Sequence, residues 1–135
     1  MSTTPNLLLN YVVPSQNNKE ATVNQAILGL EEALTDNAAV VMIDADYTFA
    51  TGQGSLGLSS LFFKFTGPLT AGRNVILPPN AKPFIVVNAT TASGSPLAVN
   101  PLTFKVGTGT HTVTISDGDA HLIYSDGVNS VYQVS

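Results

Sequence analysis

His111 and His121 are the only imidazoles in a 135-residue chain that has no cysteine. A serine or threonine nucleophile would need one of them as its base. Turn signals around them assign their positions. Gly107-Thr108-Gly109, Asp117-Gly118 and Asp126-Gly127 separate short runs rich in β-branched and aromatic residues, the pattern of antiparallel strands joined by tight turns. Counting outward from a two-residue turn at Asp117-Gly118 sets Ile115 opposite Ala120, Val113 opposite Leu122 and His111 opposite Tyr124. A four-residue loop from Gly107 to Thr110 sets Phe104 opposite Val113 and Leu102 opposite Ile115. At Asp126-Gly127 a two-residue loop would put Tyr132 and Val134 on the polar face; the preferred three-residue loop with a bulge pairs Leu122 with Tyr132 and Ala120 with Val134. In that register His111 points to the apolar face beside Tyr124, and His121 to the other face opposite Thr114. They do not converge on a metal or a substrate; a hydrogen-bonded structural role is expected for His111, and solvent or a subunit contact for His121.

The acidic pairs Asp44-x-Asp46 and Asp117-Gly118-Asp119 each offer two carboxylates. Calcium takes six to eight oxygens, and the fuller calcium-loop pattern is missing, so turn-stabilising roles are preferred. A glycosidase needs two carboxylates across a cleft, but there is no tryptophan and no aromatic cluster to mark a sugar site. Gly52-x-Gly54-x-x-Gly57 has dinucleotide-motif spacing without the strand–turn–helix setting that gives those glycines a purpose, and reads as a loop. Asn88-Ala89-Thr90 fits a glycosylation sequon. No catalytic residue, cofactor or metal site is expected, and the chain does not read as an enzyme.

Composition points elsewhere. Charged residues make up 10% of the chain, against about 25% in ordinary soluble domains. Interface cores are depleted of charge, so this balance suits a subunit whose surface is partly another subunit's interior. The net charge is −4 and the five basic residues stand singly, so no basic stripe tracks a nucleic-acid backbone. No run approaches a membrane span, and the start lacks the positive region of a signal peptide. The missing cysteines fit synthesis in a reducing cytoplasm.

In chain order, Asn6-Leu7-Leu8-Leu9 and Tyr11-Val12-Val13 form an apolar extended arm that stops at Pro14. Thr22-Val23-Asn24-Gln25 has capping-box spacing, and Val23, Ile27, Leu30 and Leu34 follow at helical intervals as far as Asp36-Asn37. Short strands are expected at Ala39–Ile43, Tyr47–Phe49, Leu61–Phe65, Val75–Leu77 and Phe84–Val87, before the three or four of the C-terminal meander. Thr51–Ser60 and Thr90–Asn100 read as loops. The expected fold is all-β, an antiparallel sandwich or barrel, with one short N-terminal helix. Residues 1–38 form a docking and oligomerisation segment, residues 39–135 a β-sandwich-like unit, and the whole one structural domain.

Two stretches resemble known proteins. Asn6-Leu7, Tyr11, Gln16, Lys19, Thr22, Asn24, Ala26 and Leu30 resemble the opening of an uncharacterised family of bacteriophage tail-associated proteins. Thr70–Pro78, Phe84–Asn88, Leu102–Val106 and Leu122–Gly127 resemble a β module of phage fibre and virion proteins. The resemblance implies a structural role in the virion, often trimeric: a small fibre or decoration subunit bound to capsid or tail proteins. The apolar residues expected at its interfaces are Leu7, Leu8, Leu9, Tyr11, Val23, Ile27, Leu30 and Leu34, on the arm and the helix stripe. The alternative is a β module that binds a host receptor or glycan through the Thr51–Ser60 and Thr90–Asn100 loops.

Overall fold

A computed structural model describes residues 2–92 and 100–135. Helix α1 (Lys19–Thr35) is followed by strands β1 (Asn37–Val41) and β2 (Tyr47–Thr48), then a one-turn helix α2 (Leu56–Ser59). Strands β3 (Phe62–Leu69), β4 (Arg73–Ile76), β5 (Lys82–Ala92), β6 (Leu102–Lys105), β7 (Val113–Ile115), β8 (Ala120–Ser125) and β9 (Val131–Gln133) complete the order. The chain is mostly β, in two mixed sheets, with one main helix.

The chain winds. It lays β1, β3 and β5 side by side in one sheet and β2, β4 and β6 side by side in the other, so each coil leaves one strand in each sheet. All of these neighbours are parallel. One coil runs from Asn37 to its partner Phe62, and the next from Phe62 to Ile85. Antiparallel pairing enters only at the C-terminal end, where β7 joins β6 and β8 and β9 extend the first sheet beyond β5. The expectation of antiparallel sheets therefore holds for this last part alone. Both sheets are open, ending in β1 and β9 and in β2 and β7, so the described strands close no barrel.

The inward residues of the two sheets make one apolar cluster. Phe63, Phe65 and Phe84 of the first sheet meet Phe49, Val75 and Phe104 from the second. Ring centroids of Phe65 and Phe104 lie 5.5 Å apart and those of Phe49 and Phe63 5.2 Å apart, both edge-to-face, the geometry that the ring quadrupole favours. Period-two burial along β1 (Ala38 and Val40 in) and β3 (Phe63 and Phe65 in) leaves the alternate residues outside.

The local register of β6 and β7 follows the turn count, with Leu102 opposite Ile115 and Phe104 opposite Val113. The hairpin expected next does not form. Ser116–Asp119 is a corner that carries the chain from one sheet to the other: Asn88 of β5 accepts from the Gly118 amide and donates its own N–H to Asp119. Strand β8 therefore pairs with β5, with Val86 opposite His121. The last loop is longer than expected. Asp126 Oδ1 accepts from the amides of Val128, Asn129 and Ser130, which spans the chain to Val131 and sets Tyr124 opposite Tyr132. These three bonds hold the Asp126 carboxyl below its ordinary pKa.

Helix α1 begins one turn before the expected capping box. Asn18 stands at its start in the left-handed region, without a side-chain cap. Thr22 lies inside the helix, where its hydroxyl takes a hydrogen bond from Gln16 Nε2, while Gln16 Oε1 accepts from the Val13 amide at 3.0 Å. The residue read as a cap instead fastens the incoming loop. Among the described residues no helix is long and apolar enough to cross a membrane.

Candidate interaction surface

The residues first considered for chemistry are occupied by structure. Asp44 accepts from the Thr70 amide at 2.9 Å and hydroxyl at 2.7 Å, and from Arg73 Nη2 at 2.8 Å. The Thr70 amide and hydroxyl and the Arg73 guanidinium pull its carboxyl down to about 2. Asp46 accepts from the Asn74 amide at 2.8 Å and side chain at 3.2 Å. The pair pins the corner between β3 and β4, the turn-stabilising role expected of it. Asn88 is buried, so the sequon is structural: its amide donates to Ile115 O at 2.9 Å and its oxygen accepts from the Thr90 amide at 3.1 Å.

His111 is not on the apolar face. It stacks on Tyr132 with centroids 5.2 Å apart, near Val131 O at 3.3 Å. His121 Nδ1 donates to Ser135 O at 2.7 Å and does not face Thr114. Among the described residues no three His, Asp or Glu side chains gather as a metal site. Part of the Thr51–Ser60 loop is α2, with Gly57 and Leu58 buried. Most of Thr90–Asn100 lies outside the described residues.

One buried ionisable group escaped the sequence reading. Lys82 opens β5 facing inward, and its ammonium donates to Ser60 O at 2.6 Å and Pro83 O at 3.1 Å, 4.2 Å from the centre of the Phe84 ring. Burial pushes its pKa down to about 8. Only its place at the head of an alternating strand, after Pro78-Pro79, hinted that it would turn inward.

The arm and α1 supply the larger feature. The arm folds back on itself: Thr4 N donates to Leu9 O, Leu9 N to the Thr4 hydroxyl, and Tyr11 N to Ser2 O. It is tied to the body by Asn80 Nδ2 to Pro5 O and by Ala81 N to Asn6 Oδ1. Leu7, Leu8 and Leu9 are half-buried, and Leu9 rests on Gly29, where a β-carbon would come within 2.6 Å of Leu9 Cδ2. The helix presents its small side to this contact. Thr22, Ala26, Gly29 and Ala33, spaced four, three and four, are covered, together with Glu32.

The large aliphatic stripe is therefore turned outward. Val23, Ile27, Leu30 and Leu34 all stand exposed, Ile27 and Leu34 at 60%. Val23, Ile27 and Leu30 do not pack on the chain's own sheet. With Leu9, Tyr11 and Val12 they border an open groove of about 310 Å³ along the helix, while Leu34 lines a second pocket with Leu61, Lys82 and Pro83. Of the eight residues expected at an interface, Leu9, Tyr11, Val23, Ile27 and Leu30 border this groove, Leu7 and Leu34 line the second pocket, and Leu8 lies half-buried in the arm.

No family model, curated protein or solved structure matches this chain.

Proposed function

We propose that the chain is a structural subunit of a bacteriophage particle: a small fibre or decoration protein whose copies associate, as a homotrimer, and attach to capsid or tail. Its body acts as a sandwich-like block of two facing sheets. It is not an enzyme and uses no cofactor, nucleic acid or membrane. What carries the reading is the outward aliphatic stripe of α1. An uncovered run of Val23, Ile27 and Leu30 beside Tyr11 and Val12, continued by exposed Leu34, is costly in water, and contiguous exposed apolar patches mark association surfaces. The scarcity of charge and the phage-like stretches in the arm and the β region point the same way.

The reading is tested by antibody raised against the purified chain. Particles banded on a density gradient from a host producing this protein should bind it. Antigen found only in the soluble fraction overturns the assignment.

A further inference from the structure

The first sheet also presents large apolar residues on its outer face, half-buried in the single chain. Register and strand alternation place Phe62, Ile85 and Leu122 in one row across it, and Ala39, Lys64, Val87 and Ala120 in the next. Tyr124 and Tyr132 stand side by side at the far end, both exposed, and Val41 is 69% exposed at the near edge. Lys64 is the one charged residue on this face. The chain's own helix does not cover it. Ala33 and Leu34 reach Leu61, Lys82 and Pro83, around a 270 Å³ cavity at the strand starts.

On the reading that copies of this chain associate, we infer that α1 of one copy lies on the outer sheet face of the next, its Val23–Leu34 stripe across the Phe62–Ile85–Leu122 and Lys64–Val87 rows. Charge complementarity favours this pairing. Glu20 lies three residues before Val23, and Glu31 four after Ile27 and three before Leu34, which puts both acids along one flank of the stripe. Lys19 is the one cation of α1, and Glu20, Glu31 and Glu32 outnumber it along the helix. Helix on sheet sets acids against Lys64. Among the described residues the one ion pair is Arg73–Asp44, so Glu20, Glu31 and Lys64 have no intramolecular counter-ion. Shape agrees, since a convex stripe and a pleated apolar face are the two halves of a helix-on-sheet layer. A contact between two different surfaces is heterologous and builds a ring when its rotation closes.

The absence of cysteine makes the test clean. Ile27→Cys and Val87→Cys are made singly and together, checked for folding by far-UV circular dichroism, and treated with a short bismaleimide, which spans neighbouring rows of the contact. The double variant should give covalent multimers on a denaturing gel, and each single variant should stay a monomer. Multimers from Ile27→Cys alone mean helix on helix, and from Val87→Cys alone sheet on sheet; either overturns the inference. A second line uses charge. Glu31→Lys should weaken association by roughly fivefold, and adding Lys64→Glu should restore it. Lack of rescue, in a protein that light scattering shows to be oligomeric, overturns the helix-on-sheet contact alone. A monomer by light scattering removes the association reading as well.

Discussion

The side-chain amide of Asn88 donates to the carbonyl of Ile115 across 2.9 Å, and so joins the third coil of the first sheet to β7 of the second. Both groups are cut off from water, and the Asn88 oxygen also satisfies the Thr90 amide. Replacing Asn88 by alanine removes the buried partner of Ile115 O and of the Thr90 amide and hydroxyl. A buried group that loses its partner costs about 1–3 kcal/mol, so Asn88→Ala should lower unfolding free energy by roughly 2–4 kcal/mol in urea titration. A loss under about 1 kcal/mol would show that the tie between the sheets is slack.

Two glycines at positive φ should separate cleanly. At Gly118, φ +88°, a β-carbon meets nothing within 4 Å, so Gly118→Ala costs only backbone strain of about 1–2 kcal/mol. At Gly107, φ +55°, the same atom would lie 1.8 Å from Val128 O, a backbone atom that cannot swing away. Gly107→Ala should cost roughly 2 kcal/mol more than Gly118→Ala, read as the difference in thermal midpoint converted to free energy. Equal costs would contradict the close approach of the 107 loop to the chain at Val128.

Lys82 gives a pH signature. Its folded pKa of about 8 lies below the ordinary 10.5, so between these values the unfolded chain holds more protons than the folded one. Stability must then rise with pH across that window, by roughly 2–3 kcal/mol in all, whereas below pH 8 the buried charge is a constant cost. Chemical unfolding at pH 7, 9 and 10 measures the rise, and Lys82→Met should flatten it. A wild-type profile that falls from pH 8 to 10 rules out a desolvated ammonium at this position.

Gly29→Ala tests how the arm is held. Alanine favours the helix by about 0.8–1 kcal/mol, but its methyl would displace the end of the Leu9 side chain. Global stability should change by less than about 1 kcal/mol while limited proteolysis within residues 2–13 speeds up severalfold. Unchanged cleavage would mean that the arm does not depend on this contact.

How far the residues alone could lead follows from which contacts are local. The β6–β7 register was legible because the turn and both strands lie within fifteen residues of one another. The Asp117-Gly118 signal was legible as a turn, but a turn does not say whether the chain returns along the same sheet or crosses to the facing one. Asn88 decides that from a distance. Parallel pairing of β1, β3 and β5 joins residues more than twenty positions apart in unlike sequences, so no repeat announces it. The α1 stripe was plain as a pattern, yet its direction was not. Thr22, Ala26, Gly29 and Ala33 share the spacing of Val23, Ile27, Leu30 and Leu34, and close approach of the arm, which only small side chains allow, chose the first set for burial. Lys82 was missed because a lysine is expected at the surface.

The outward stripe is tested most directly by sedimentation velocity on the purified chain at micromolar concentration, beside Leu30→Asp. Leu30 is exposed in the single chain, so the substitution leaves the fold intact and acts on association alone. The wild type should sediment as an oligomer and Leu30→Asp as a folded monomer. A wild type that sediments as one species of 14.1 kDa would contradict the assignment of this surface to contact between copies.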